Sequence, residues 1–183
     1  MRERTIVQAA LALIAGGFVW AVAWFLLGFT EDGARPVLGL SEGAWRAVLN
    51  PALLAVMAGA WIFFMRLGSR AGGLGFLAAV VVEAGLLATL IGNVVEVGLW
   101  GDGFSETGWD VFVAGTLGTL LGVLLLGVAI VRTGLLPRAV SLPFAGGLAA
   151  FLAGAMLGPA VGIGWLLWGY VLLGARGVTP DEE

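Results

Sequence analysis

Few side chains in this chain are able to do chemistry, and four of them share one apolar run. Residues 80–100 read "VVVEAGLLATLIGNVVEVGLW" and carry Glu83, Thr89, Asn93 and Glu96. The run is long enough to cross a bilayer. A charged residue at the centre of such a helix costs roughly 2.5–3.5 kcal/mol on insertion. At a rise of 1.5 Å per residue, Glu83 lies only about 5 Å from the middle of the run. Two readings follow: Glu83 is a proton or cation site, or it is a neutral carboxyl hydrogen-bonded to a neighbouring helix. For the second, the expected partners are Thr116, Thr119 or a carbonyl freed near Asn50-Pro51. No arginine stands at that depth. Glu83 and Glu96 are about 20 Å apart along a helix, so one metal ion cannot bridge them.

The absences are as informative. The chain has no Cys and no His, and all nine of its basic residues are Arg. Thiol chemistry, Cys-held zinc or iron–sulfur, His-ligated haem, imidazole relays and Lys Schiff bases are therefore excluded. No cofactor or metal is expected, and an enzyme is the less favoured class. Hydrophobic residues make up 60% of the 183 residues and charged ones only 11%, against about 25% charged in a soluble domain. A net charge of −3, thinly spread, gives no nucleic-acid footprint.

The elements that must position the polar groups follow from hydropathy. Apolar runs near 20 residues predict membrane spans at 6–28, 46–65, 73–99 and 110–131. The region 139–175 is too long for one span, and "MLGPAVGIG" in its centre clusters Gly and Pro. That density predicts a tight turn between two short helices, 141–157 and 161–175. Arg2, Arg4, Arg66, Arg70, Arg132, Arg138 and Arg176 then fall on one side, leaving Arg35 and Arg46 on the other. Basic loops stay cytoplasmic. The expected fold is an all-α integral membrane protein, a six-helix transmembrane bundle of antiparallel hairpins whose last hairpin is short. Residues 1–177 form the single domain and 178–183 an acidic cytoplasmic tail. Both termini are expected in the cytoplasm, with the protein in the plasma (inner) membrane. The first apolar run exceeds the 7–15 residues of a signal h-region and reads as an uncleaved helix.

Small residues predict how the helices meet. On a helical wheel Gly75, Ala78, Val82, Gly85, Thr89, Gly92 and Glu96 share one stripe, while Glu83 lies on a different face. Small residues let backbones approach closely within lipid. With two faces unsuited to lipid, the third span is expected to be the central helix, with Gly85 and Gly92 at its contacts. Gly115, Gly118 and Gly122 mark a similar face in the fourth span and Gly154 one in the fifth. A repeat is also visible: "SEGAW" at 41–45 and "SETGW" at 105–109 precede the second and fourth spans. Each offers a Ser N-cap, an acid in the first turn and an interfacial Trp. Spans 1–2 and 3–4 read as duplicated hairpins, or as two outputs of one common helix-entry pattern.

The plan and the inner loop "RTGLLPR" resemble those of small bacterial six-helix membrane proteins without pointing to a family. The leading expectation is a non-enzymatic accessory, scaffold or sensor-like component acting through helix packing. Its partners would be the lipid bilayer and other membrane proteins or a second copy. The alternative is a small proton- or cation-coupled transporter or channel using Glu83.

Overall fold

The computed structural model describes residues 3–30, 36–98, 105–154 and 158–175. It is all-helical there, with no strand among the described residues. Six helices follow in order: α1 (Glu3–Leu27), α2 (Glu42–Arg66), α3 (Gly72–Val97), α4 (Glu106–Thr133), α5 (Arg138–Ala153) and α6 (Gly158–Gly174). A short 3₁₀ turn, Gly68–Ala71, joins α2 to α3. The first four helices are long and apolar enough to cross a membrane. The shorter α5 and α6 have 16 and 17 residues. The region 139–175 is thus divided into two helices, but the break comes earlier than expected: α5 ends at Ala153, and Gly158, Pro159, Gly162 and Gly164 lie within the first turns of α6. The expected tail at 178–183 lies outside the described residues, as do Arg2, Arg35, Asp102 and Arg176.

Local chemistry sets the helix ends. Ser41 Oγ accepts from Ala44 N–H at 3.2 Å, and Ser105 Oγ accepts from Gly108 N–H at 3.3 Å. Each satisfies an N–H that the first turn leaves without an intrahelical partner. Both caps therefore behave as the repeated Ser motif predicts. They also move two helix starts. α2 begins at Glu42 and α4 at Glu106, one turn earlier than the expected 46 and 110. Arg46 is consequently a helical residue, not a loop cation. Gly134 ends α4 at φ +63°, a conformation that costs glycine little.

The helices pack as a ring in chain order: α1 on α2, α2 on α3, α3 on α4, α4 on α5, α5 on α6, and α6 back on α1. One contact crosses the ring, between α2 and α6. Two helices, α2 and α6, therefore each meet three others. The expectation that α3 is central is corrected: α3 packs closely on α4 and on α2 only. Its remaining face, with Phe76, Val80, Leu87, Ile91 and Val95, is exposed. The side of α3 that carries Asn93 and Glu96 meets α2, which leaves this third face free.

Glycines set the closest contacts. Gly85 stands against Gly115 O and Thr119 N, Gly92 against Phe112 and Gly108, and Gly122 against Ala78 O and Val82. Between α1 and α2, Gly16 stands against Ala52 O and Val56 N, and Gly59 against Ala9 O and Leu13 N. These two sets are the same contact pattern. The offset is 69 residues from Gly16 to Gly85, from Ala9 to Ala78 and from Leu13 to Val82. It is 63 residues from Gly59 to Gly122, from Ala52 to Gly115 and from Val56 to Thr119. Gly118 is the exception among the expected packing positions. A Cβ there would meet only Gly85 Cα at 3.7 Å, an ordinary contact. Gly154 packs on Val161 at the corner between α5 and α6 rather than along a helix face.

At the end of the bundle where α2 and α6 finish, the ring is filled by aromatic side chains. Trp168 is sandwiched between Phe63 and Phe144, at centroid distances of 4.9 and 5.3 Å and interplanar angles of 13° and 12°. Phe151 and Trp165 meet it edge-on. Phe63, Phe151, Trp165 and Trp168 are all fully buried. Trp165 and Trp168 are therefore packing residues, while Tyr170 is exposed.

Candidate functional site

The polar groups gather at the opposite end, where α2 and α4 begin and α3 finishes. Entry of α2 at Glu42 puts Arg46 one turn inside the helix, opposite Glu96 of α3. Arg46 Nη1 and Glu96 Oε1 form an ion pair, and Arg46 Nη2 meets Glu42 Oε1 at 2.8 Å. The Glu96 side chain is 2% exposed, against 20% for Arg46 and 44% for Glu42. Asn93, one turn before Glu96, donates from Nδ2 to Arg46 O at 3.0 Å and to Asn50 Oδ1 at 2.8 Å. Asn50 precedes Pro51, whose ring and missing N–H loosen the preceding turn of a helix. The carbonyl left without its helical donor is that of Ala47, and Asn93 donates beside it, to the Arg46 carbonyl. The guanidinium also lies 5.2 Å from the centroid of the Trp109 ring on α4, within range of a cation–π contact.

Three helices are thus tied through one arginine. Its charge is opposed by two carboxylates, so the cluster carries a formal excess of one negative charge. Glu96 Oε2, Arg46 Nε and Asn50 Nδ2 are buried without a hydrogen-bond partner among the described residues. No group of three or more His, Cys, Asp or Glu suited to a metal occurs among the described residues.

Of the four expected polar-site residues, the structure brings two together. Asn93 and Glu96 share the Arg46 cluster. Thr89 is buried on the α4 side, where its hydroxyl donates to Gly85 O of its own helix at 2.9 Å. Glu83 stands alone. On the helix it neighbours Ala79 and Leu86, and its buried Oε1 has no hydrogen-bond partner among the described residues. The hydrogen-bond partners expected for it are engaged elsewhere. Thr116 donates to Phe112 O at 2.9 Å, Thr119 to Gly115 O at 3.0 Å, and the Arg46 carbonyl near Asn50-Pro51 accepts from Asn93. Thr–backbone bonds within one helix satisfy the hydroxyl locally, and Thr119 stands beside Gly85, on a face of α3 other than that of Glu83.

Beside the cluster lies an aromatic cleft of about 270 Å³. Trp20 and Trp24 of α1 form one wall, with Gly158 and Val161 of α6. Trp109, Phe112, Thr116 and Leu120 of α4 form the other. Phe112 stacks on Trp109 at 5.5 Å and 11°, and approaches Trp24 at 6.1 Å. Trp20 Nε1 donates to Gly158 O at 3.3 Å, pinning the start of α6. A Cβ on Gly158 would lie 2.8 Å from the Trp24 ring, so glycine there gives the indole its place.

Sequence reasoning missed Arg46, Asn50 and Trp109 as site residues. The available signal was the i, i+4 spacing of Glu42 and Arg46 after a Ser cap, which marks both as helical. No family model matches the chain, and no curated protein and no solved structure does so either.

Proposed function

We propose that this chain is a multi-pass membrane protein of antiparallel helix hairpins, with both termini cytoplasmic, acting without catalysis as an accessory or scaffold component. Four helices of sufficient length and apolarity support the membrane reading. The arginine distribution supports the orientation, and the short α5–α6 pair would complete the last hairpin. At about 24–26 Å each, those two helices fall short of a 30 Å hydrocarbon core, so the bilayer would thin around them. A reporter fused after Glu183 should signal the cytoplasm, and a periplasmic signal would refute the six-crossing topology.

One observation carries the scaffold reading: the far end of the ring is closed by the fully buried side chains of Phe63, Phe151, Trp165 and Trp168. A body of this kind presents packed surfaces, not a path. A second reading, a proton- or cation-coupled carrier, is favoured by the buried Glu83 Oε1 that lacks a partner. Reconstitution into liposomes carrying a pH-sensitive dye separates the two. The scaffold reading expects equal dissipation of an imposed pH gradient by wild type and Glu83→Gln, both at the protein-free rate. A flux that Glu83→Gln abolishes would establish the carrier instead.

A further inference from the structure

We propose that the aromatic cleft between α4 and the α1–α6 pair is a binding site for a small amphiphilic organic cation of the quaternary-ammonium class. The inference goes beyond the scaffold reading and does not depend on it. Four aromatic rings, Trp20, Trp24, Trp109 and Phe112, line the space. Such rings hold ammonium groups through the negative faces of their π-systems, more strongly where the site is desolvated. The structure already uses one ring in this way, since Arg46 sits over Trp109.

Charge around the cleft selects the sign of the occupant. Glu106 and Asp110 are exposed in the first turns of α4. At helical spacing Glu106 shares a face with Trp109 and Val113, and Asp110 with Val113 and Leu117; all three of these partners line the cleft. Arg46, the arginine described at this end, is already opposed by Glu42 and Glu96. The rim therefore repels an anionic headgroup and attracts a cation. Among the described residues no charged side chain lines the cleft itself, so the body of the ligand is apolar. The volume suits a ligand of about ten non-hydrogen atoms better than a whole lipid. α4 does not pack along α1 or α6, which leaves this seam open to an occupant.

The test is titration of the full chain in nanodiscs with benzyltrimethylammonium, and separately with benzenesulfonate, following tryptophan fluorescence. The cation should give a saturable change and the anion none. Glu106→Gln combined with Asp110→Asn should weaken cation binding about three- to tenfold at low ionic strength, with the difference fading in high salt. Phe112→Ala should weaken it by about tenfold or more. Circular dichroism and the thermal transition check that each variant is folded. The two rim substitutions are on the surface, so they remain informative if Phe112→Ala does not fold. Equal saturable binding of both probes would make the cleft a general apolar seat, and no saturable response would make it unoccupied packing space. Either result, or a cation affinity indifferent to the rim charges, overturns the proposal.

Discussion

Arg46→Met is the substitution with the largest expected cost outside the apolar core. It keeps the stem that packs between α2 and α4 and removes the guanidinium. Glu96, with a side chain 2% exposed, would then be a buried carboxylate whose only described ionic partner is gone. Breaking a buried pair in this way costs about 3–5 kcal/mol. Water reaches the Arg46 end, where the side chain is 20% exposed, so the lower figure is the appropriate one, about 3 kcal/mol. Glu42→Gln removes only the half-exposed partner and should cost about 0.3–0.5 kcal/mol, as for helix pairs four residues apart. The double variant Arg46→Met/Glu96→Leu leaves no unpaired charge, and apolar replacement of a buried pair is often neutral. It should therefore be more stable than Arg46→Met alone, with a coupling of about 2 kcal/mol or more. Reversible unfolding in mixed micelles by added dodecyl sulfate, read by circular dichroism, supplies all four corners of the cycle. A cost below about 1 kcal/mol for Arg46→Met, the range of a surface pair, would refute the buried-pair reasoning. So would a double variant whose loss is the sum of the singles.

Three further outcomes are expected in the same assay. Gly85→Ala should lose about 1–3 kcal/mol by forcing Gly115 and Thr119 backbone away, whereas Gly118→Ala should change little; equal effects would discredit the α3–α4 contact. Glu83→Leu should match or exceed wild-type stability, because no hydrogen-bond partner is stranded by it; a loss above about 1 kcal/mol would reveal a partner in the folded protein. Trp168→Ala should cost about 3–5 kcal/mol as a core truncation, and a smaller loss would show that the aromatic cluster collapses easily around the gap.

Periodicity and composition made the helices legible, because each is an apolar run bounded by a Ser cap, a Gly or a Pro. The α3 stripe was legible too: Gly85, Gly92 and Thr89 do face α4. Pairing between helices was not. Nothing in the sequence near Glu96 names Arg46, which is 50 positions away, and reading Arg46 as a loop residue hid the pair. The choice of α3 as the central helix failed for a related reason. Two small or polar faces limit what a helix packs against, but it is the contact across the ring that gives α2 and α6, and not α3, a third neighbour. On the helical wheel Glu83 lies off the stripe that meets α4, so the α4 threonines expected as its partners sit on another side of the helix, and both hydroxyls bond their own backbone.

The twice-used glycine register makes the two hairpins alike in packing, at offsets of 69 and 63 residues. On the α1-to-α3 offset, Asn93 and Glu96 occupy the places of Trp24 and Leu27. The first turns of α4, meanwhile, contain no arginine to match Arg46 of α2. Acid and cation thus stand on different hairpins of one packing plan, and their ion pair joins the two where they adjoin. Two hairpins alike in their small residues are told apart by their polar ones.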